Sequence, residues 1–244
     1  VAKKRKKFDL LELDQGNVKK VSGPALKKRV KRKKNGDVYV AGIPMIDQGR
    51  KGYCACSTSA RILQFYGRKV TQDQVADIAG ASAQGTQPKE LLKALKIISS
   101  KYRFKVEPTG KFPLSSDQMY KRFIKKINKR LKREKIRHPS SEQVTQVAIH
   151  VGLKNTTQIE FFRKEVQKSI KRGQPLAWAL YLGIIVETDV PQASGGHMRI
   201  IMGYNLKTNE VLYTDSWGQG HEMKRMNFDK AYVPTMALWK LRPR

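Results

Sequence analysis

Residues 53–63, Tyr-Cys-Ala-Cys-Ser-Thr-Ser-Ala-Arg-Ile-Leu, read as the opening of a buried helix with Cys54 in its first turn. Gln48 stands six residues ahead of that cysteine. Far along the chain, Gly195-Gly196-His197 precedes a strand-like run, and Asp215-Ser216-Trp217-Gly218 follows it. This order constrains the fold strongly. For these side chains to meet, a helical part carrying Cys54 must face a sheet part carrying His197 and Asp215.

The residue types together make a thiol acyl-transfer site. A thiol attacks as its thiolate, and a helix N-terminus with a neighbouring imidazolium lowers a cysteine pKa. His197 is the candidate ion-pair partner of Cys54 and the later proton donor to a leaving group. Asp215 is the candidate acceptor that fixes the histidine tautomer and ring plane. Gln48 is expected to offer its side-chain N–H to a developing oxyanion, beside the backbone N–H of Cys54. Trp217 is placed to cover the His–Asp hydrogen bond, and Gly196 and Trp217 are taken as the substrate-facing positions.

The order Gln, Cys helix, His strand, Asp-Ser-Trp-Gly resembles the papain-like cysteine peptidases. Its details are similar to the bacterial branch related to double-glycine leader peptidases. The likeness is carried by Ile43-Pro44-Met45-Ile46-Asp47-Gln48, by Leu63-Gln64-Phe65-Tyr66-Gly67 at the end of the Cys helix, and by Gly195 through Tyr204. It covers roughly residues 42 to 242, with a central insertion. Asp215 stands where plant papains carry Asn, and the double-glycine branch commonly carries Asp. Ala55-Cys56 replaces the usual Gly-Ser or Gly-Pro, and no Trp follows Cys54, which leaves substrate preference open. The resemblance implies an α+β, papain-like two-lobed fold, with an N-terminal helical lobe packed against a C-terminal twisted antiparallel sheet lobe. It implies hydrolysis of a peptide or protein substrate through a Cys54 thioester, with no cofactor and no metal. It leans towards a bacterial exported or envelope-associated protein. Hydrolysis and transfer to an amine are not distinguished.

Taken singly, each residue has a plainer reading: Cys54 as a small buried hydrophobe, Gln48 as a loop amide, His197 as a structural histidine, Asp215 as a turn cap. The joint order favours the catalytic reading. Cys56, two positions on, points about 200° away around a helix and into packing. His138 and His150 read as surface or partly buried, and His221 as a rim residue with a structural role.

The charge is the second constraint. The chain has 50 Lys+Arg against 20 Asp+Glu, a formal charge of +30 over 244 residues. Such a balance attracts polyanions, either an anionic surface or nucleic acid. No helix-turn-helix, zinc-finger or RNA-recognition signature accompanies it, and aromatics are 8%. The alternative function is therefore a polyanion-binding module on a peptidase-like scaffold. The cations cluster at Lys3–Lys7, at Lys27–Lys34 and between Ser116 and Arg137. In the last cluster Tyr120, Phe123, Ile124, Ile127 and Leu131 form one apolar stripe, so a helix is expected to dock by that stripe and turn its cations outward.

The organisation expected is a basic, solvated arm over 1–41 and a peptidase domain over 42–244. The domain divides into a helical lobe at about 42–173, a basic insertion at about 112–157, and a β lobe from about 174. The arm's position also allows an inhibitory role. Helix starts are read at Thr71, Pro88, Ser140 or Ser141, and Thr157, with Gly173 as a stop. Strands are read at 102–106, 199–204, 211–214 and 236–241. The apolar run 176–186 is too short to span a bilayer. Two cysteines give no disulfide framework, so the compartment stays open; the oligomeric state is not given by the sequence. A start at Val1 fits a processed or truncated form.

Overall fold

The computed structural model describes residues 21–82, 85–86, 88–187, 190 and 194–243. In chain order the elements are α1 (Gly23–Lys28), β1 (Val30–Arg32), β2 (Asp37–Val40), α2 (Cys54–Phe65), α3 (Gln72–Ala79), α4 (Pro88–Tyr102), β3 (Phe104–Thr109), α5 (Asp117–Arg133), α6 (Ser141–Gly152), α7 (Thr156–Lys171), β4 (Leu176–Leu182), β5 (Gly195–Asn205), β6 (Glu210–Thr214), β7 (Lys224–Asn227), α8 (Phe228–Tyr232) and β8 (Thr235–Pro243).

Local chemistry sets most helix ends. Thr71 and Ser140 each form a capping box, with Gln74 and Gln143 reaching back to the cap N–H. Asn155 caps α7 one residue earlier than expected, and Gly173 follows its end with φ 73°. Helix α5 starts on the Ser116 cap and buries Phe123, Ile127 and Leu131, with Tyr120 and Ile124 packed beside them. The docking reading of that stripe is therefore what the structure shows, and α6 is its neighbour.

The sheet differs from expectation in its membership. It is antiparallel throughout, in the order β1-β2-β5-β4-β8-β3, with β6 on the other edge of β5 and β7 beyond it. Three of its strands come from before residue 174. Long β5 offers one edge to β4 along 195–201 and then to β2 along 203–205, so the N-terminal hairpin extends the sheet. Gly203 permits this approach: a Cβ there would sit 2.6 Å from Cβ of Tyr39. Within the segment read as a solvated arm, residues 21–40 are folded, because Leu26, Val38 and Val40 are buried and the cations of 27–34 ride on the outer face. Asp37 fastens the hairpin. It accepts hydrogen bonds from Arg225 (2.6 and 2.9 Å) and Asn205 (2.8 Å). The Arg225 hydrogen bond holds its carboxyl well below the usual range against the cost of burial. The Lys3–Lys7 cluster lies outside the described residues. Strand β7, Lys-Arg-Met-Asn, buries only Met226 and pairs only with β6, so it carries no apolar alternation to read.

The helices pack around this sheet on one continuous core that runs from Leu63 and Phe65 through Phe162 and Trp178 to Leu241. Helix α2 lies against α3 on one side and against β5 on the other, which brings the Cys helix to the His strand. No helix among the described residues is long and apolar enough to cross a membrane.

Candidate active site

Cys54 is the first residue of α2, and no side chain caps that helix. A Ser or Asp cap would fill the first-turn N–H groups; here they stay available at the thiol. Ten of the twelve α2 residues are buried, including Ser57, Thr58, Ser59 and Arg61. Such polar burial is costly unless every group is bonded, and the partners explain how the site is held. Ser57 donates to the Ile46 carbonyl (3.2 Å). Thr58 donates to the Met198 carbonyl (3.1 Å), next to His197 on β5. Arg61 donates to the carbonyls of Pro44 (2.7 Å) and Asp215 (2.6 Å) and to Oγ1 of Thr214 (2.6 Å). One side chain thus ties the Cys helix to the loop leading to Gln48 and to the strand end bearing Asp215.

On the sheet side, His197 Nε2 lies 2.7 Å from Oδ1 of Asp215. With Nε2 taken by Asp215, Nδ1 is the ring nitrogen left free, and His197 is the group that lowers the Cys54 thiol. The Trp217 ring stacks on the imidazole at 4.5 Å and 19°. Asp215 is fully buried, and its Oδ1 also accepts from the Ser216 N–H (2.8 Å). Gly196 is exposed on β5, with open space where a side chain would be.

The electrostatics form one coupled system. Burial pushes the Cys54 thiol up, but the His197 hydrogen bond and charge, with backbone N–H groups, bring it below its ordinary value. Burial alone would lower His197; the Asp215 hydrogen bond and the Cys54 thiol raise it to about 9. Burial opposes ionisation of Asp215, yet His197 and Arg199 bring it down to about 2. For stability, the raised His197 contributes fully below the reference 6.5, and its contribution is lost as pH rises through about 9. Depressed Asp215 contributes above 3.8, and its contribution is lost as pH falls through about 2.

Gln48 is brought to this group by Ser216. Its backbone N–H donates to the Ser216 carbonyl (2.8 Å), and its Oε1 accepts from the Ser216 hydroxyl (2.6 Å). Its Nε2 donates to the Lys51 carbonyl (3.2 Å), and the amide keeps a second hydrogen. Gly218, with φ 79°, lets the Trp-Gly turn press against this loop, since a Cβ there would fall 2.8 Å from Oδ2 of Asp47.

Cys56 is fully buried, with Sγ 3.4 Å from Thr86 Oγ1, and burial pushes its thiol up to about 11. It points away from the site, as its spacing implied. His150 is exposed beside Arg130, and His138 is exposed. His221 is closer to the chemistry than its sequence context indicated. Its ring stands edge-on to Trp217 at 5.5 Å, and its carbonyl accepts from Asp215 N–H.

The sequence reading gives no role to Arg61, Arg199, Ser216 or Glu187. Arg61 lies two helical turns after Cys54, and Arg199 lies two residues after His197 on the same strand. Both periodicities put a charge on the functional face. A lone cation inside an apolar run was the signal available.

A thiol at an uncapped helix start, an imidazole bonded to a buried carboxylate, and helices packed on an antiparallel sheet give an α+β architecture. The chain belongs to the Peptidase_C39 like family, whose profile matches residues 40–238. Three solved structures are similar at low identity. One is the peptidase domain of Streptococcus ComA, a bifunctional ABC transporter involved in a quorum-sensing pathway, at 10% identity and a TM-score of 0.44, covering 83% of this chain and all of that one. A double-glycine-motif protease from an AMS/PCAT transporter, in complex with its leader peptide, gives 13% and 0.42, covering 84% and 94%. Xylellain, a cysteine protease from Xylella fastidiosa, gives 14% and 0.44, covering 90% and 89%. No match was found among curated proteins.

Proposed function

We propose that this chain hydrolyses peptide bonds through a thioester on Cys54. The observation that carries the reading is the His197 imidazole, hydrogen-bonded to buried Asp215, set beside Cys54 at the uncapped start of α2. In the reaction, the thiolate attacks the scissile carbonyl and the C–N bond breaks as the imidazolium protonates the leaving amine. Water, deprotonated by the now neutral His197, then releases the acid and restores the thiol pair. Asp215 holds the ring through both steps. The Cys54 backbone N–H and the second Nε2 hydrogen of Gln48 serve as oxyanion donors, with Ser216 fixing the amide so that its nitrogen faces away from Oε1's partner. Gly196 and Trp217 flank the reacting atoms as substrate-facing positions. The domain proposed to carry this site takes in the β1–β2 hairpin as well as residues 42–244, because that hairpin pairs with β5.

The test is covalent capture. A peptidyl vinyl sulfone is expected to add once, at Cys54 and not at Cys56, as read by intact mass and peptide mapping. His197→Ala removes the adduct. Gln48→Ala is expected to lower turnover of a peptide pool by roughly 100-fold with little change in KM, because the lost donor acts in the transition state. Labelling of both cysteines alike, or labelling that survives His197→Ala, would refute the reading.

A second property rests on α5, whose Lys121, Arg122, Lys125, Lys126, Lys129, Lys132 and Arg133 are all exposed. This face is proposed to retain the enzyme on polyanions. Retention on a heparin column is expected to fall steeply with salt, and the triple change of Lys125, Lys126 and Lys129 to Gln to lower the eluting salt concentration. Elution of the triple variant at the parent's salt concentration would remove α5 from this role.

A further inference from the structure

His197 and Asp215 would suffice for the proposed chemistry, yet Asp215 has a second partner that the chemistry does not require. Its Oδ2 accepts from Nε of Arg199 at 2.6 Å, and both side chains are fully buried. A buried guanidinium is costly unless its charge is answered. Here Arg199 Nη1 lies 2.9 Å from both oxygens of Glu187, a carboxylate 11% exposed at the outer end of the line. The Tyr213 hydroxyl donates to Glu187 Oε2 at 2.6 Å. The guanidinium is boxed by the rings of Trp178, Tyr213 and Trp217, at 5.9, 4.7 and 5.8 Å. Its Nη2 has no hydrogen-bond partner among the described residues. The fork is therefore aimed by its two carboxylates and its aromatic walls.

The two carboxylates divide the work. Asp215 Oδ1 takes His197 and the Ser216 N–H, while Oδ2 takes Arg199. Donors on both oxygens fix the plane of the carboxylate, and with it the plane of the imidazole. The cation that does this also opposes protonation of the histidine next door. Glu187, bound to the far side of the same guanidinium, supplies the opposite sign.

We propose that Arg199 and Glu187 are a positioning pair for the site: Arg199 locks the Asp215 carboxylate, and Glu187 balances the charge that Arg199 would otherwise press on His197. This rests on the peptidase reading above. Other groups also face the imidazole: Cys54 from α2, Asp215 after β6, and His221 across Trp217. Arg61 from α2 bears on Asp215, and Glu222 bears on Arg61. None of them is altered in the variants below, so differences among the variants report on the pair.

The experiment uses the full chain. The rate of Cys54 alkylation by iodoacetamide is followed against pH by mass spectrometry, and inactivation by a peptidyl vinyl sulfone is timed. Thermal melting checks that each variant is folded. The upper step of the alkylation profile marks loss of the imidazolium. Glu187→Gln is expected to move it down by roughly half a pH unit, since one compensating negative charge is gone. Adding Arg199→Met restores the charge balance and is expected to return the step close to its original pH. That double variant leaves Asp215 unlocked, so its vinyl sulfone inactivation, which needs a proton from a well-placed His197, is expected to fall about tenfold. An upper step that stays in place in Glu187→Gln overturns the charge-balance role, and undiminished inactivation of the double variant overturns the positioning role. If the double variant does not fold, Arg199→Lys, which keeps the charge but loses the fork, takes its place in the inactivation assay, and undiminished inactivation there overturns the positioning role. A parent chain whose Cys54 titrates as a free thiol in one step fails differently: it removes the peptidase reading, and the pair's role falls with it.

Discussion

Cys54→Ala is expected to leave no measurable peptide cleavage, a loss of at least about a thousandfold, while the protein melts within about 3 °C of the parent. The two halves of this result have separate causes. Turnover is expected to disappear because the other cysteine, Cys56, is buried on the far side of the helix, with its thiol pushed up to about 11. The fold survives because Cys54 is only partly buried and opens α2 without capping it. Alanine is well tolerated in a first helical turn. The histidine also changes. The Cys54 thiol is one of the groups that raise His197, so the variant's imidazole titrates lower than the parent's. An NMR titration of the ring reads that shift directly. Residual cleavage in the Ala variant above a thousandth of the parent rate would mean that the thiol is not the nucleophile.

Arg61→Met has the largest expected effect on stability, about 3 kcal/mol, seen as a drop in melting temperature of roughly 10 °C. Hydrogen bonds from a charged donor contribute about 1.5–3 kcal/mol each, and Arg61 makes three. Methionine leaves the Pro44 and Asp215 carbonyls without that donor, while release of the buried charge offsets part of the loss. The functional effect follows from where the bonds end. One holds the loop leading to Gln48, and another holds the backbone of Asp215. Cys54 alkylation near pH 6 is expected to slow along with the melting shift. Unchanged stability would show that the interlobe clamp is dispensable.

How legible this was depends on which force fixed each feature. The site order was readable because the chemistry admits few residue types: a thiol at a helix start, an imidazole, a carboxylate before Trp-Gly. The α5 stripe and the Thr71 and Ser140 caps were readable because they are local patterns. The N-terminal hairpin was hidden by its composition. The cations of 27–34 suggested solvation, while the sparse Val38 and Val40 decided the packing. Its pairing to β5 spans most of the chain, and no local signal carries such a register. Arg61 and Arg199 were missed for a related reason. A charged residue is usually solvated, and only the tertiary arrangement supplies the carbonyls, carboxylates and aromatic walls that make burial tolerable here.

The measurement that bears most directly on the account is the pH dependence of alkylation at Cys54, with Cys56 as the internal standard in the same molecule. A thiolate paired with His197 predicts rapid, selective modification of Cys54 at pH 6, a second change as the imidazolium titrates towards about 9, and a silent Cys56. Equal and slow modification of both cysteines, with a midpoint near the free-thiol value of about 8.5, would contradict a working thiol–imidazole pair.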